Sequence, residues 1–119
     1  MRVREIEELP MIQARHVPAS LADETVGEIM VTELMSDVLT MDHENLLLIT
    51  SLCSEQALTT ANIIDAVGVI ITSGKEIPPK LQSMAETCHI SLWTTTLRNY
   101  QLIEELLQHD PTMGDTLHE

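Results

Sequence analysis

The chain has 119 residues, 44% of them hydrophobic, and 6 Lys and Arg stand against 19 Asp and Glu for a net charge of −13. This length fits one domain, because single cores divide only beyond roughly 250 residues, and the chain is too apolar for a disordered acidic segment. The charge argues against nucleic acid and anionic membranes as partners, since both are bound mainly through Lys and Arg. We predict one folded domain over residues 1–109 and a flexible acidic tail over residues 110–119.

Apolar stretches predict two strands in the first third of the chain, at residues 11–17 and 26–31. A short helix is predicted over residues 33–41, with Thr32 as its candidate N-cap. The strongest strand prediction is at residues 46–50, a continuous apolar run that suits a strand buried on both faces.

Helices and strands alternate in the remainder of the chain. Apolar residues recur at helical spacing in three segments, and continuous apolar runs between them favour strands. Helices are predicted after the N-cap candidate Ser54, from Pro79 and after the N-cap candidate Thr96, and strands at residues 67–72 and 90–94. This alternation is typical of βαβ crossovers, so the sequence predicts an α/β fold with a mostly parallel central sheet.

Ligands of open α/β sheets gather beyond the carboxyl ends of the strands, where loops lead into helix N-termini. The predicted strand ends carry hydroxyl-rich stretches at residues 32–33, 50–55, 72–75 and 94–96, with Lys75 as their only cation. Helix N-termini, hydroxyls and one Lys suit a phosphate or a carboxylate. An alternative is that these Ser and Thr residues act as helix caps and turn residues. The candidate ligand-binding residues are Thr50, Ser54, Ser73, Gly74, Lys75 and Thr95.

Cys53 follows a predicted strand and precedes a predicted helix, whose positive end could lower the thiol pKa and activate a nucleophile. A phosphatase loop would place Arg six residues later, but that residue is Thr59. The alternative is a buried thiol, a common state of free cysteine, and Cys88 completes an apolar helical stripe.

The sequence contains no pattern typical of a metal or catalytic site. Its five His residues form no i, i+4 pair and no HxH motif, and its carboxylates are scattered rather than paired. We therefore expect no metal, no cofactor, no catalytic residues and no enzyme activity. No apolar run approaches the ~20 residues of a membrane helix, and the N-terminus lacks the apolar region of a signal peptide. With two cysteines too few for a disulfide framework, these features predict a cytoplasmic protein.

Segments from residue 26 to residue 107 share their order and end residues with a known family. Residues 26–38 end in an M-S-D-V run, residues 48–50 end a strand in I-T, and residues 62–74 close on a small-residue turn. A Pro-led helix then precedes residues 90–96, a strand with Thr at its end. This pattern resembles free-standing members of the DRTGG-domain family.

The resemblance implies a fold similar to the N-terminal domain of HPr kinase/phosphorylase, a three-layer α/β/α unit without the kinase phosphate loop. It also implies a regulatory or accessory role, because relatives are fused to CBS pairs in some pyrophosphatases or occur beside genes for iron-only hydrogenases. The resemblance further implies a tendency to dimerise. The loop after residues 46–50 departs from the free-standing group's Q-T-H-x-N run, since Ser54 and Gln56 occupy the His and Asn positions. No site is carried over to that loop.

Two functions from different classes are compatible with these features. The first is a non-catalytic regulatory or accessory module, homodimeric, that docks on a redox or metabolic enzyme and is similar to hydrogenase-associated relatives. The alternative is a small-ligand sensor that binds an adenine nucleotide or another anion at the strand ends, near Lys75 and Lys80. A third hypothesis is a phosphotransfer protein that uses Cys53.

Overall fold

A computed structural model describes residues 1–40 and 42–118 of the chain. These residues form one six-stranded sheet with helices on both faces. In chain order the elements are α1 (Val3–Glu7), β1 (Ile12–His16), a 3₁₀ turn (Ala19–Leu21), β2 (Glu28–Val31), α2 (Met35–Leu39), β3 (Leu46–Thr50), α3 (Glu55–Ile63), β4 (Gly68–Ile71), α4 (Pro79–Cys88), β5 (Ser91–Thr95), α5 (Asn99–His109), a C-terminal 3₁₀ helix (Pro111–Thr116) and β6 (Leu117–His118).

The strands lie in the order β1-β5-β4-β3-β2-β6. The four central strands β2 to β5 are mutually parallel, and β6 is parallel to β2. Strand β1 pairs with β5 in the antiparallel direction, and it forms one edge of the sheet. The predicted α/β fold with a mostly parallel central sheet is therefore confirmed.

The central strands are buried on both faces, since every residue of β3 and β4 is buried. Along β3, Leu46 and Leu48 belong to an apolar cluster with α2, α3 and α4, whereas Leu47 and Ile49 belong to a second cluster with α1 and α5. This alternation makes the three-layer α/β/α unit that the family resemblance implies. No helix in the described part of the chain has the length and apolar character needed to cross a membrane.

The helix expected at residues 33–41 is shorter, because the backbone turns before it begins. The hydroxyl oxygen of Thr32 accepts the N–H of Leu34 at 3.0 Å, and α2 starts only at Met35. Glu33 stays outside the helix, which frees its side chain for other contacts. Residue 41, the last of the predicted helix, lies outside the described residues.

The start of α5 also differs from the prediction. The sequence predicts Thr96 as the N-cap, but the helix begins three residues later, at Asn99. The N-cap is Arg98, whose backbone N–H donates to the Gln101 side chain at 2.9 Å. A side chain three positions into the helix thus satisfies the N-terminal backbone in place of a Thr hydroxyl.

Residues 110–118 are folded against the domain, in contrast to the flexible tail that the sequence suggests. Met113 is buried in the same apolar cluster as α1 and α5, and Leu117 pairs with Ile29 of β2. The N-terminal ammonium group lies 3.3 Å from the Asp110 carboxylate. One apolar anchor and one strand pairing therefore hold a segment whose composition alone suggests a tail. Residue 119 lies outside the described residues.

Gly68 of β4 packs against the indole ring of Trp93 in the neighbouring strand. A Cβ atom at residue 68 would overlap Cζ3 of Trp93 and lie 2.9 Å from Cη2. The indole is fully buried, so a close-packed interior leaves it no space to move.

We expect Gly68→Ala to lower the free energy of unfolding by about 1–3 kcal/mol, because overpacking a filled core forces side chains or backbone to shift. Gly114→Ala is the matched control, since its Cβ would make an ordinary 3.6 Å contact with Cδ2 of Leu107. Denaturant unfolding measures both variants. Equal free energies of unfolding in the two would contradict the prediction.

Candidate functional site

The carboxyl ends of the four parallel strands β2 to β5 lie at one end of the sheet, which we call the carboxyl end. The hydroxyl-rich stretches that the sequence predicts at the strand ends lie there. Two polar features occupy this end, a hydrogen-bonded network around Glu33 and a cleft beside β1.

The carboxylate of Glu33 ties the ends of β2 and β3 to the start of α5. It accepts the backbone N–H of Ser51 at 2.8 and 3.1 Å and the hydroxyl of Thr50 at 3.0 Å. The Asn99 amide nitrogen donates to the same carboxylate at 2.9 Å, and the Asn99 amide oxygen accepts the hydroxyl of Thr72. The network therefore joins connections from β2, β3 and β4 to α5.

The surroundings of Glu33 favour its ionised form. Burial raises the pKa of this carboxyl group, but hydrogen bonds from Ser51, Asn99 and Thr50 outweigh burial and hold the pKa below its ordinary value. A carboxylate in this state accepts hydrogen bonds at neutral pH, as Glu33 does from Thr50, Ser51 and Asn99. The sequence indicated residues 32–33, but it gave no signal for Asn99, which lies 66 positions away.

A polar cleft of about 160 Å³ lies between β1 and the loops that follow β4 and β5, and we call it the Arg15–Lys75 cleft. Two cations and three Thr residues dominate its lining. Three of the six candidate ligand-binding residues are among those that line it, and the full set is Met11, Gln13, Arg15, Gly74, Lys75, Thr94, Thr95 and Thr96.

Arg15 reaches the cleft because β1 is antiparallel to β5. Gln13 lies opposite Thr94 in this pairing, and a register shift between Ala14 and His16 leaves Arg15 without a partner in the ladder. Such bulges redirect side chains. The Nε of Arg15 donates to Oγ1 of Thr94 at 3.1 Å. The sequence pattern could not show this contact, since it depends on pairing between two distant strands.

Lys80, which the sequence suggested as the companion of Lys75, points to a different partner. Its Nζ lies 3.0 Å from Oε1 of Glu55, and both side chains are exposed. The second cation of the cleft is Arg15 instead. The basic corner expected around Lys75 and Lys80 is therefore a cleft lined by Lys75, from the loop after β4, and by Arg15 of β1.

A clasped turn holds Lys75 at the cleft. Ser73 and Gly74 have φ angles of 70° and 66°, in the left-handed region that Gly adopts freely and that costs other residues roughly 1–2 kcal/mol. The N–H of Ser73 donates to the carbonyl oxygen of Leu97 at 2.7 Å, and that of Gly74 to Thr95 at 3.0 Å. These bonds fasten the loop after β4 to the loop after β5, and Lys75 follows directly.

The three remaining candidate residues do not line the cleft. Ser73 belongs to the clasped turn, and Thr50 donates to Glu33 while accepting the N–H of Leu52 at 3.1 Å. Ser54 is the N-cap of α3, as predicted, but its buried hydroxyl has no hydrogen-bond partner in the described part of the chain. Thr50 thus fits the turn-residue alternative, and the structure brings only Gly74, Lys75 and Thr95 together.

The surroundings of Cys53 do not activate its thiol. Burial raises the pKa of Cys53, and the smaller effect of the nearby Lys75 lowers it. The Sγ atom donates to the carbonyl oxygen of Glu76 at 3.5 Å. A raised pKa favours the protonated thiol at neutral pH, and this does not support a helix-activated nucleophile at Cys53.

An apolar groove of about 470 Å³ runs between the end of β2 and α5. Leu102 and Leu106 are the buried residues of α5, whereas Tyr100 is 63% exposed. The groove is therefore a solvent-facing surface of α5, lined by Val31, Asn99, Tyr100, Ile103 and Glu104.

Comparison with known proteins gives a likeness in fold. No protein-family model and no curated protein matches the chain. The chain is similar to the crystal structure of the CBS and DRTGG domains of the regulatory region of Clostridium perfringens pyrophosphatase, which is complexed with its activator diadenosine tetraphosphate. The TM-score is 0.71 at 13% identity, over 84% of this chain and 43% of that one. The chain thus spans less than half of that structure, and the likeness shows the fold.

We expect Glu33→Gln to lower the free energy of unfolding by about 1 kcal/mol at pH 7, a small value because solvent screens this exposed residue. The folded-state pKa of Glu33 is lowered, so its stabilisation is present above the ordinary pKa of about 4.3 and is lost as the pH falls through the folded-state value. Urea unfolding between pH 7 and pH 3 should therefore show wild type and variant converging in acid.

Glu86→Gln is the control for this measurement, because Glu86 is exposed on α4 and takes no part in the network. Its free energy of unfolding should stay close to that of the wild type throughout. A difference between wild type and Glu33→Gln that stays constant from pH 7 to pH 3 would contradict the prediction.

Proposed function

We propose that this chain is a regulatory module of the DRTGG family, non-catalytic, that senses a small anionic ligand. The observation that carries the proposal is the Arg15–Lys75 cleft, because it lies at the carboxyl end of a parallel sheet, where ligands of open α/β folds bind. The fold likeness supports the same role, since the similar crystal structure is a regulatory region in complex with a nucleotide activator.

The chemistry of the cleft suits binding rather than catalysis. The described residues that line it include no carboxylate, imidazole or thiol, so the lining offers its Lys and Thr side chains no carboxylate or imidazole base that would activate them as nucleophiles. Within residues 1–40 and 42–118, no three His, Cys, Asp or Glu side chains are placed to hold a metal ion. We infer a cytoplasmic location from the free thiols of Cys53 and Cys88.

Thermal unfolding with a ligand panel tests the proposal. The panel contains AMP, ADP, ATP and diadenosine tetraphosphate, with adenosine as the uncharged control. A ligand at one hundred times its Kd adds about 2.7 kcal/mol to stability, so at least one nucleotide should raise the Tm by several degrees. A Tm that no member of the panel shifts at millimolar concentration would contradict the sensing role.

The apolar groove favours a second candidate function, an accessory module that forms a homodimer and docks on a redox or metabolic enzyme, such as a hydrogenase. Exposed Tyr is enriched in protein interfaces, and Tyr100 lies beside Val31 and Ile103 in a groove large enough to receive side chains. Of the two interactions in this candidate function, homodimer formation can be tested with the purified chain alone.

Light scattering over a hundredfold range of protein concentration should show a dimer that weakens in Tyr100→Ser. Ile63→Ser is the matched control, because Ile63 is 65% exposed on α3, on the opposite face of the sheet from α5. A monomer at every concentration, or equal dimerisation in both variants, would remove the groove as the contact between copies.

A further inference from the structure

We propose that the Arg15–Lys75 cleft binds a phosphate group, and that it encloses this group alone, while any base and sugar of the ligand lie outside. The inference rests on the proposed sensing function and names the part of the ligand that the cleft recognises.

The charge of the cleft is unusual for this chain, in which acids outnumber bases by 19 to 6. Of the other four Lys and Arg residues, Arg4 pairs with Asp23 and Lys80 with Glu55, whereas Arg2 and Arg98 form no salt bridge in the described part of the chain. Within the described residues, neither Arg15 nor Lys75 forms a salt bridge, and no Asp or Glu is among the residues that line their cleft. Two unneutralised positive charges on one concave surface favour a ligand that carries negative charge.

Arg15 is held in position by neutral partners. Its Nε donates to Thr94 at 3.1 Å and its Nη2 to Oε1 of Gln13 at 3.3 Å. These bonds restrain the side chain without cancelling its charge. A guanidinium has five N–H donors, so donors remain for two oxygens of a bound anion, and little side-chain entropy is left to lose.

The opposite side of the cleft adds donors suited to phosphate. Lys75 follows the clasped turn of Ser73 and Gly74, which fixes where its side chain starts. The hydroxyl of Thr94, which is 6% exposed, accepts from Arg15 and has no acceptor for its own hydrogen in the described part of the chain. Two cations and a hydroxyl hydrogen match a phosphate group, which has three acceptor oxygens and a charge of up to −2, better than a carboxylate with two.

The size of the cleft limits what it encloses. Pockets that bury a whole drug-sized ligand measure roughly 300–1,000 Å³, whereas this cleft measures about 160 Å³. A nucleoside monophosphate therefore does not fit inside, but its phosphate does. Free phosphate and the terminal phosphate of a nucleotide present the same charged acceptor oxygens to the cleft.

Isothermal titration calorimetry in a phosphate-free buffer tests the inference with inorganic phosphate, pyrophosphate, ATP, adenosine and acetate. The wild type should bind the three phosphate probes and neither adenosine nor acetate. Arg15→Gln and Lys75→Gln should each weaken phosphate binding about tenfold or more, as expected for loss of a charge-assisted hydrogen bond. Equal affinities for phosphate and ATP would identify a free-phosphate site, and tighter ATP binding would place the base and sugar on the surrounding surface.

Matched controls distinguish the loss of a cation in the cleft from the loss of a positive charge elsewhere on the protein. Lys80→Gln and Arg98→Gln remove the same charge outside the lining, so phosphate affinity should stay within about twofold of wild type. Lys75 is exposed, so Lys75→Gln is expected to fold even if Arg15→Gln does not, and Tm measurements check both.

The inference fails if the two cleft variants bind phosphate and ATP as tightly as wild type does, and in that case the sensing function stands with its site elsewhere. It also fails if wild type binds ATP or adenosine but neither phosphate nor pyrophosphate. Absence of binding by every probe would overturn the inference and the proposed function together.

Discussion

Strands β3 and β4 are buried on both faces, and this burial determines the layout of the rest of the molecule. Their backbone N–H and C=O groups have no access to water, so each strand needs a ladder on both sides, supplied by β2, by β5 and by their mutual pairing. Helices must then cover both faces. Polar side chains of these strands and their loops reach solvent only where the strands end. The Glu33 network and the Arg15–Lys75 cleft therefore lie at the same end of the sheet.

These two features have opposite charge and share one connection, the loop that follows β4. Thr72 at its start donates to Asn99 and so belongs to the network of the ionised Glu33. Lys75, three residues later, lines the cationic cleft. A ligand in the cleft would therefore contact a loop that also positions α5 and the apolar groove beside it, which gives a sensing role and a docking role a common structural element.

The sequence predicts the interior of this fold better than its surface. The bounds of β3 at Leu46–Thr50 follow directly from a continuous apolar run that ends in Thr, because burial on both faces favours apolar residues along the strand. The loop that bears Gly74 and Lys75 was also indicated, since parallel strands bring their ends together. Arg15 was not, because its place depends on a first strand that pairs antiparallel with the last parallel one.

The same limit applies to other contacts that join distant parts of the chain. No sequence motif and no hydrophobic periodicity predicts the hydrogen bond between Asn99 and Glu33. Asn99 is a polar residue at the start of a helix, and its partner lies 66 positions away. The C-terminal segment has the composition of a tail, but Met113 anchors it in the core. Local sequence patterns predict the helices and strands, whereas contacts between residues far apart in the chain form only when the sheet is assembled.

The irregular pairing of β1 has a consequence for how copies of this protein meet one another. A free strand at the side of a sheet exposes unpaired backbone groups, and copies of a chain can add to each other there without limit. Here one outer strand, β6, has two residues within the described part of the chain, and the pairing of the other, β1, is irregular between Ala14 and His16. Neither offers a long regular ladder. The irregularity that directs Arg15 into the cleft therefore also hinders polymerisation of a protein whose central strands, once exposed, are rich in aggregation-prone apolar sequence.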